Sequence, residues 1–415
     1  MENDLTWRRR VLPNGSKILF YPRKSALTTQ IGVAITYGAN MDSDLKSGRA
    51  HFLEHMLCGG SDKRIDLSRQ IEHLGGIINF STNHEYTYSF VDVVPEKMHE
   101  ATKILSKLLF DPYFEQEKFD LERKIIHSEL STIFDNPCEK IEQMLMNCLF
   151  KTHPIRREII GSKKSLHSLA LNDLVEAHNL YYNLSNMIIV VTGRFLEKDL
   201  DLITNNLLSN SPHSISIEKQ RFLENSKPVL RNSKFKSGLN QTYLSMGART
   251  VSSQHSEAHV LDLIATILGD GFSSRLFVEI REKLGLSYNI SASSQCGLDY
   301  GYFSIDCSVK PKNFELTIKL IEREVNKLCS EKVVEKELKK AKAMIRGELL
   351  RLVDRSIDFP ELMVACELKY KTKYAILNYL KKIGDTSFED IIDVANKYIQ
   401  SDKLSLVSLS PKEEK

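Results

Sequence analysis

His51-Phe52-Leu53-Glu54-His55 is the segment whose residue types and spacing are suited to chemistry. On a helix, residues four apart share a face, so imidazoles at 51 and 55 can ligate one metal ion, and Glu54, three from His51, lies on the same side. Phe52, Leu53, Met56 and Leu57 form an apolar side that can anchor such a helix. Ser47 is expected to cap its start, and Gly59-Gly60 to end it in a left-handed turn. With 12 histidines in 415 residues, chance supplies an HxxEH only about 0.02 times per chain. Catalytic zinc takes three protein ligands and keeps one position for water, so a third ligand must come from elsewhere.

The elements that position this motif follow from hydrophobic period. Lys17–Tyr21 and Gln30–Thr36 alternate as short strands, and a third strand is expected from Ile77 to Val91 with one face exposed. In that reading Ile78, Phe80, Tyr86, Tyr88 and Phe90 share one face, and Asn79, Ser81, Asn83, Glu85 and Thr87 the other. Helical period occupies about 98–109, 116–134 and 139–149. Near Tyr181 and again near Tyr398, a helix runs through a polar turn into an apolar strand, Met187–Val191 and Leu404–Leu409. Two such signatures about 217 residues apart indicate two related units. The fold class expected is α+β: two homologous domains, each a mainly antiparallel sheet with helices packed on one side. Boundaries are set at 1–210 for the motif-bearing domain, 211–236 for a polar linker and 237–415 for the second domain.

Composition narrows the class. Lys and Arg number 57 against 54 Asp and Glu, a net charge of +3, which gives no reason to expect nucleic acid as a partner. Arg8-Arg9-Arg10 reads as a solvated end. No apolar stretch approaches the ~18 residues of a membrane span. The first residues carry acids where a signal peptide has bases, so a cytoplasmic location is expected. Cys58, Cys138, Cys148, Cys296, Cys307, Cys329 and Cys366 are odd in number and never in CxxC spacing, so they read as reduced, mostly buried thiols. Cys58 falls on the ligand stripe but is better read as packing. His84 and His127 match no ligand position. Gly269-Asp270-Gly271 is a faint phosphate loop without the Lys-Ser/Thr that would complete it.

HFLEH, preceded by Gly48 and followed by Met56 and Gly59, resembles the inverted zinc motif of the pitrilysin/insulinase family of metallopeptidases, in its short processing-peptidase-like branch. The resemblance implies a third zinc ligand, Glu129, 74 residues after His55, and an outer carboxylate, Glu122, two helical turns before it. Val11-Leu-Pro-Asn-Gly15 is similar to the family's opening turn. The half-exposed strand resembles the edge strand along which substrate adds its backbone, which implies peptide contacts at Asn79, Phe80, Ser81 and Thr82. Phe80 departs from the small residue usual there: facing the groove it would narrow the site, and facing the core it would change nothing. Leu268–Phe277 followed by Arg281-Glu-Lys-Leu-Gly-Leu-Ser-Tyr288 resembles the C-terminal signature, whose Arg281 and Tyr288 contact substrate. Arg281 should close a helix that Gly285 ends, with Tyr288 opening the next strand. The second half has no HxxEH, since His255 and His259 lack the Glu between them, so one zinc per chain is expected.

The implied activity is zinc-dependent endopeptidase action on unfolded peptides or flexible leaders, with Glu54 as general base and Arg281 and Tyr288 as donors to the carbonyl oxygen. Two units are half of the family's four-unit chamber. A homodimer is therefore expected, with a heterodimer of related subunits as the alternative. The competing classes are a non-catalytic core or scaffold subunit and a peptide-binding module of the same fold.

Overall fold

The computed structural model describes residues 5–59, 62–209, 217, 221–331, 333–355 and 357–412. Its strands are β1 (Arg8–Val11), β2 (Lys17–Pro22), β3 (Thr29–Ile35), β4 (Ile77–Thr82), β5 (Thr87–Val93), β6 (Met187–Gly193), β7 (Arg231–Lys236), β8 (Thr242–Arg249), β9 (Ser287–Cys296), β10 (Gly301–Val309) and β11 (Ser405–Pro411). The helices are α1 (Arg49–Gly59), α2 (Asp62–His73), α3 (Met98–Phe110), α4 (Gln116–Asp135), α5 (Pro137–Leu149), α6 (Lys163–Ser168), α7 (Leu171–Tyr181), α8 (Asp199–Leu208), α9 (Ala258–Gly269), α10 (Phe314–Ser330), α11 (Glu335–Asp354), α12 (Asp358–Tyr370), α13 (Ala375–Asp385) and α14 (Phe388–Tyr398).

Two sheets organise the chain, in the orders β1-β2-β6-β3-β5-β4 and β7-β11-β8-β10-β9. The second repeats the first strand for strand from β2 onward. In both, one parallel pair (β2 with β6, β7 with β11) is followed by antiparallel pairing out to an edge strand, β4 or β9. The α+β reading and the pair of related folds are therefore both present.

The compact units are not continuous stretches. One comprises residues up to Thr132, Arg157–Gln220 and Arg351–Leu377; the other comprises Ile133–Arg156, Arg221–Leu350 and the chain from Asn378. Thus α5 packs on β8 and β11, and α12 packs on β6 and β3. A division at 211–236 misses this exchange, because period and polarity report local structure and not which sheet a helix covers. Part of that stretch is also not a linker: Arg231–Lys236 is β7, hydrogen-bonded in parallel to β11.

In the first unit β3, β5 and β6 are buried along their whole length, which requires cover on both faces. The segment 77–91 is a hairpin and not one strand. Asn83 turns the chain, its side-chain oxygen accepting from the amides of Glu85 (2.8 Å) and Tyr86 (2.9 Å), an Asx turn. The register pairs Asn79 with Phe90, Ser81 with Tyr88, Phe80 with Ser89 and Thr82 with Thr87. Tyr88 and Phe90 therefore share a face with Asn79 and Ser81, opposite to Phe80, and the single alternation expected across the turn is corrected. Tyr86 on that side donates to Glu361 of α12 at 3.0 Å. Phe80 points to the other face and is buried.

Arg8–Arg10 is likewise corrected from a solvated end to strand β1. Arg9 forms a two-pronged bond to Glu367 (3.0 Å each), which Lys17 also reaches at 3.0 Å. Glu367 is fully buried, and a buried carboxylate needs such partners. Among the described residues, no helix is long and apolar enough to cross a membrane.

Candidate metal centre

The helix that carries the motif starts at a tight crossing. Gly48 has φ +91°, and a Cβ there would lie 2.4 Å from the carbonyl oxygen of Ile160, so only glycine fits. Ser47 does not cap α1. Asp42 does, accepting from the Ala50 amide at 3.1 Å, from the Tyr37 hydroxyl at 2.7 Å and from Arg49 Nε at 3.4 Å. Arg49 also donates to the Tyr37 oxygen at 3.0 Å, and Tyr37 stacks on Tyr181 with centroids 4.0 Å apart. Burial pushes the Asp42 carboxyl up, and the Tyr37 hydrogen bond and Arg49 oppose it. This cap comes from eight residues upstream, where local sequence pattern carries no signal. Of the expected turn at the helix end, Gly60 lies outside the described residues.

Phe52, Leu53, Met56 and Leu57 are buried, as the anchoring face requires. Phe52 stacks on Phe119 of α4, with centroids 4.6 Å apart and planes 4° from parallel. On α4 the buried positions Phe119, Glu122, Ile126 and Leu130 follow one stripe, and two turns beyond Glu122 the same helix presents Glu129. His51, His55 and Glu129 thereby converge. Their ligand atoms all lie within 4.8 Å of one another. His51 Nε2 is 3.8 Å from Glu129 Oε1, and His55 Nε2 is 3.6 Å from Glu129 Oε2.

These separations exceed a hydrogen bond and approach the ~3.4 Å between donors that ~2.05 Å zinc bonds in a tetrahedron impose. The buried Nδ1 of His51 has no hydrogen-bond partner among the described residues. Two imidazoles and a carboxylate are borderline-soft and hard donors that suit Zn²⁺, and the set fits zinc. Glu122 Oε2 lies 3.1 Å from His55 Nδ1, which places the ring proton on Nδ1 and the lone pair on Nε2.

The electrostatics of His51 agree with that use, whereas the carboxylates around His55 favour its proton. Burial, and then the neighbouring His55, push the His51 pKa down to about 3, so the ring keeps its lone pair at neutral pH. Burial alone would lower His55, but the bond to Glu122 and the charges of Glu54, Glu122 and Glu129 outweigh it and raise the group. Glu54 is raised by burial, against the opposing Thr82 hydrogen bond and His55 charge. Thr82 Oγ1 donates to Glu54 Oε2 at 2.7 Å. Sequence reasoning placed Thr82 among substrate contacts and missed this bond, which depends on the hairpin register.

Of the other edge-strand candidates, Asn79 is exposed and Ser81 half-buried on the face shared with Tyr88, while Phe80 turns inward. Cys58 is half-buried, its thiol pushed up by burial. In the second unit, Arg281 lies in a short π-helical turn, Phe277–Glu282. Gly285 follows with φ +58°, and Tyr288 is the second residue of β9. The Arg281 guanidinium covers the rings of Phe277 (4.7 Å) and Tyr288 (4.4 Å). Tyr288 is 73% exposed.

A duplicated α+β fold with an HxxEH helix facing a downstream glutamate defines the class of inverted-motif zinc peptidases. The chain belongs to the pitrilysin/insulinase family: residues 19–163 match the model for insulinase (peptidase family M16), and residues 168–345 match the peptidase M16 inactive domain. A relative from Rickettsia felis, named an uncharacterized zinc protease, is 29% identical over 94% of both chains. A probable mitochondrial-processing peptidase subunit beta from Arabidopsis thaliana is 23% identical over 97% of this chain and 78% of its own. The crystal structure of a protease from Helicobacter pylori shares the fold, with a TM-score of 0.89 at 22% identity, over 98% of this chain and 99% of that one.

Proposed function

We propose that the chain is a zinc-dependent endopeptidase that cleaves unfolded peptides or flexible leader segments inside a closed chamber, with one zinc held by His51, His55 and Glu129. The convergence of those three donors beside Glu54 carries the reading. When bound there, zinc would acidify water and polarise the scissile carbonyl. The remaining work falls to this chain's residues. Glu122 fixes the His55 tautomer. Glu54 is not a ligand; it takes the proton of the attacking water and delivers it to the leaving amine. The edge strand β4, through Asn79 to Thr82, receives the substrate backbone. Arg281 and Tyr288 donate to the carbonyl oxygen as it gains charge.

The chain carries both the metal donors and the Arg281/Tyr288 pair, which supports a homodimer in which each copy supplies that pair to the other's zinc. A heterodimer is the second reading, favoured by the naming of the Arabidopsis relative as a subunit. A cytoplasmic location accords with the near-neutral composition.

The test is metal content together with cleavage of a quenched peptide library. Wild type should carry zinc and cleave in a chelator-sensitive manner; Glu54→Gln should keep zinc and lose turnover. Zinc-loaded wild type that cleaves no peptide overturns the enzyme reading in favour of a peptide-binding or scaffold chain. Mixing Glu54→Gln with Arg281→Ala chains should restore activity if copies share sites, and no recovery after verified exchange rejects the sharing.

A further inference from the structure

We propose that Thr82 is a positioning residue for Glu54: its hydroxyl holds one carboxylate oxygen, Oε2, and leaves Oε1 to face the reacting water. The inference rests on the proposed role of Glu54 and adds to it a residue that sets where the base points.

The argument is one of proton accounting. A threonine hydroxyl has one proton to give. Thr87 Oγ1 lies 2.9 Å from the carbonyl oxygen of Tyr37, which can only accept, so the Thr87 proton is committed there. Thr82 Oγ1 lies 3.4 Å from Thr87 Oγ1 and 2.7 Å from Glu54 Oε2. Its single proton therefore goes to Glu54, at the length of a charge-assisted O–H···O⁻ bond. Thr87 cannot compete for the carboxylate.

Thr82 is also the stiffer partner. It is β-branched, with few χ1 choices, and it pairs directly with Thr87 across a hairpin that Asn83 closes. Glu54 has three side-chain torsions, and ordering it from one end removes freedom it would otherwise keep. Because β4 is the sheet edge, the strand that would receive a peptide backbone is the same one that aims the base. Peptide register and base orientation are thus fixed against a common element.

The experiment compares Thr82→Val, which keeps shape and removes the hydroxyl, with Thr82→Ser, which keeps it. In zinc-loaded chains Val should lower kcat about 10- to 100-fold, as misplacement of a catalytic group does, with KM and zinc content unchanged; Ser should recover most of the loss. In metal-free crystals Glu54 should hold one rotamer in wild type and Ser and scatter in Val. Val as active as wild type, or Ser as impaired as Val, overturns the inference. If wild type cleaves nothing, the proposed function fails, and the metal-free Glu54 rotamers then decide: scatter in Val alone supports the role of Thr82, and one rotamer in all three rejects it.

Discussion

Removing the Glu122 carboxylate should weaken zinc binding in two graded steps. Its side chain is 11% exposed and meets His55 Nδ1 at 3.1 Å, holding the ring proton away from the metal side. Glu122→Gln keeps the shape and a carbonyl oxygen that still accepts from Nδ1–H, so only the charge is lost. A charge-assisted hydrogen bond contributes about 1.5–3 kcal/mol and a neutral one about 0.5–1.5, a difference near 1.4 kcal/mol, or about tenfold in Kd. Glu122→Ala removes the acceptor altogether and frees the tautomer, which should cost about 10- to 100-fold. The assay is competition for zinc against a chromophoric chelator at neutral pH, with circular dichroism to verify folding. Equal Kd values for all three chains would refute the orienting role. Gln weaker than Ala would refute the charge argument.

Two further outcomes test the scaffold around the site. Gly48→Ala should destabilise the chain by about 2 kcal/mol or more, since a Cβ must adopt φ +91° against a backbone carbonyl; urea denaturation indistinguishable from wild type would contradict the crossing geometry. In the second unit, Glu224 Oε2 accepts from the amides of Lys151, Thr152 and His153. Burial alone would raise its carboxyl, but hydrogen bonds from Ser226, His153 and Thr152 outweigh it and hold it well below 4.5. A depressed folded pKa stabilises above the unfolded value, and that contribution is lost as pH falls below it. Wild type should therefore lose thermal stability on acidification below about pH 4.5 more steeply than Glu224→Gln, and parallel melting curves would refute this.

Much of the centre was legible because it is local. The i, i+3, i+4 spacing of HFLEH and the seven-residue step from Glu122 to Glu129 each place their groups on one helix face, whereas the pairing of the one helix with the other is readable only through the family resemblance. The repeated helix-turn-strand signature at Tyr181 and Tyr398 likewise matches two sheets of one topology. What escaped was set by distant pairing. Asp42 caps α1 from across a turn, where adjacency alone favours Ser47. Alternation does not carry through Asn83, an asparagine between two alternating runs being itself a turn signal, so Tyr88 and Phe90 fall on the face opposite to the one that unbroken alternation assigns. The allegiance of α5 and α12 depends on which sheet has a bare face, and nothing in either helix states that.

The repeat of topology puts α9 in the second unit where α1 stands in the first, between the equivalent strands β8 and β9. From Val260 to Gly269 it is buried apart from Asp262, whereas α1 keeps His51, Glu54, His55 and Cys58 half-open. The two copies differ in this helix: α9 is given over to cohesion, and α1 leaves part of its surface open at His51, Glu54 and His55. An ion bound there would add its binding free energy to the folding of the first copy, whereas the second draws the corresponding cohesion from the buried length of α9.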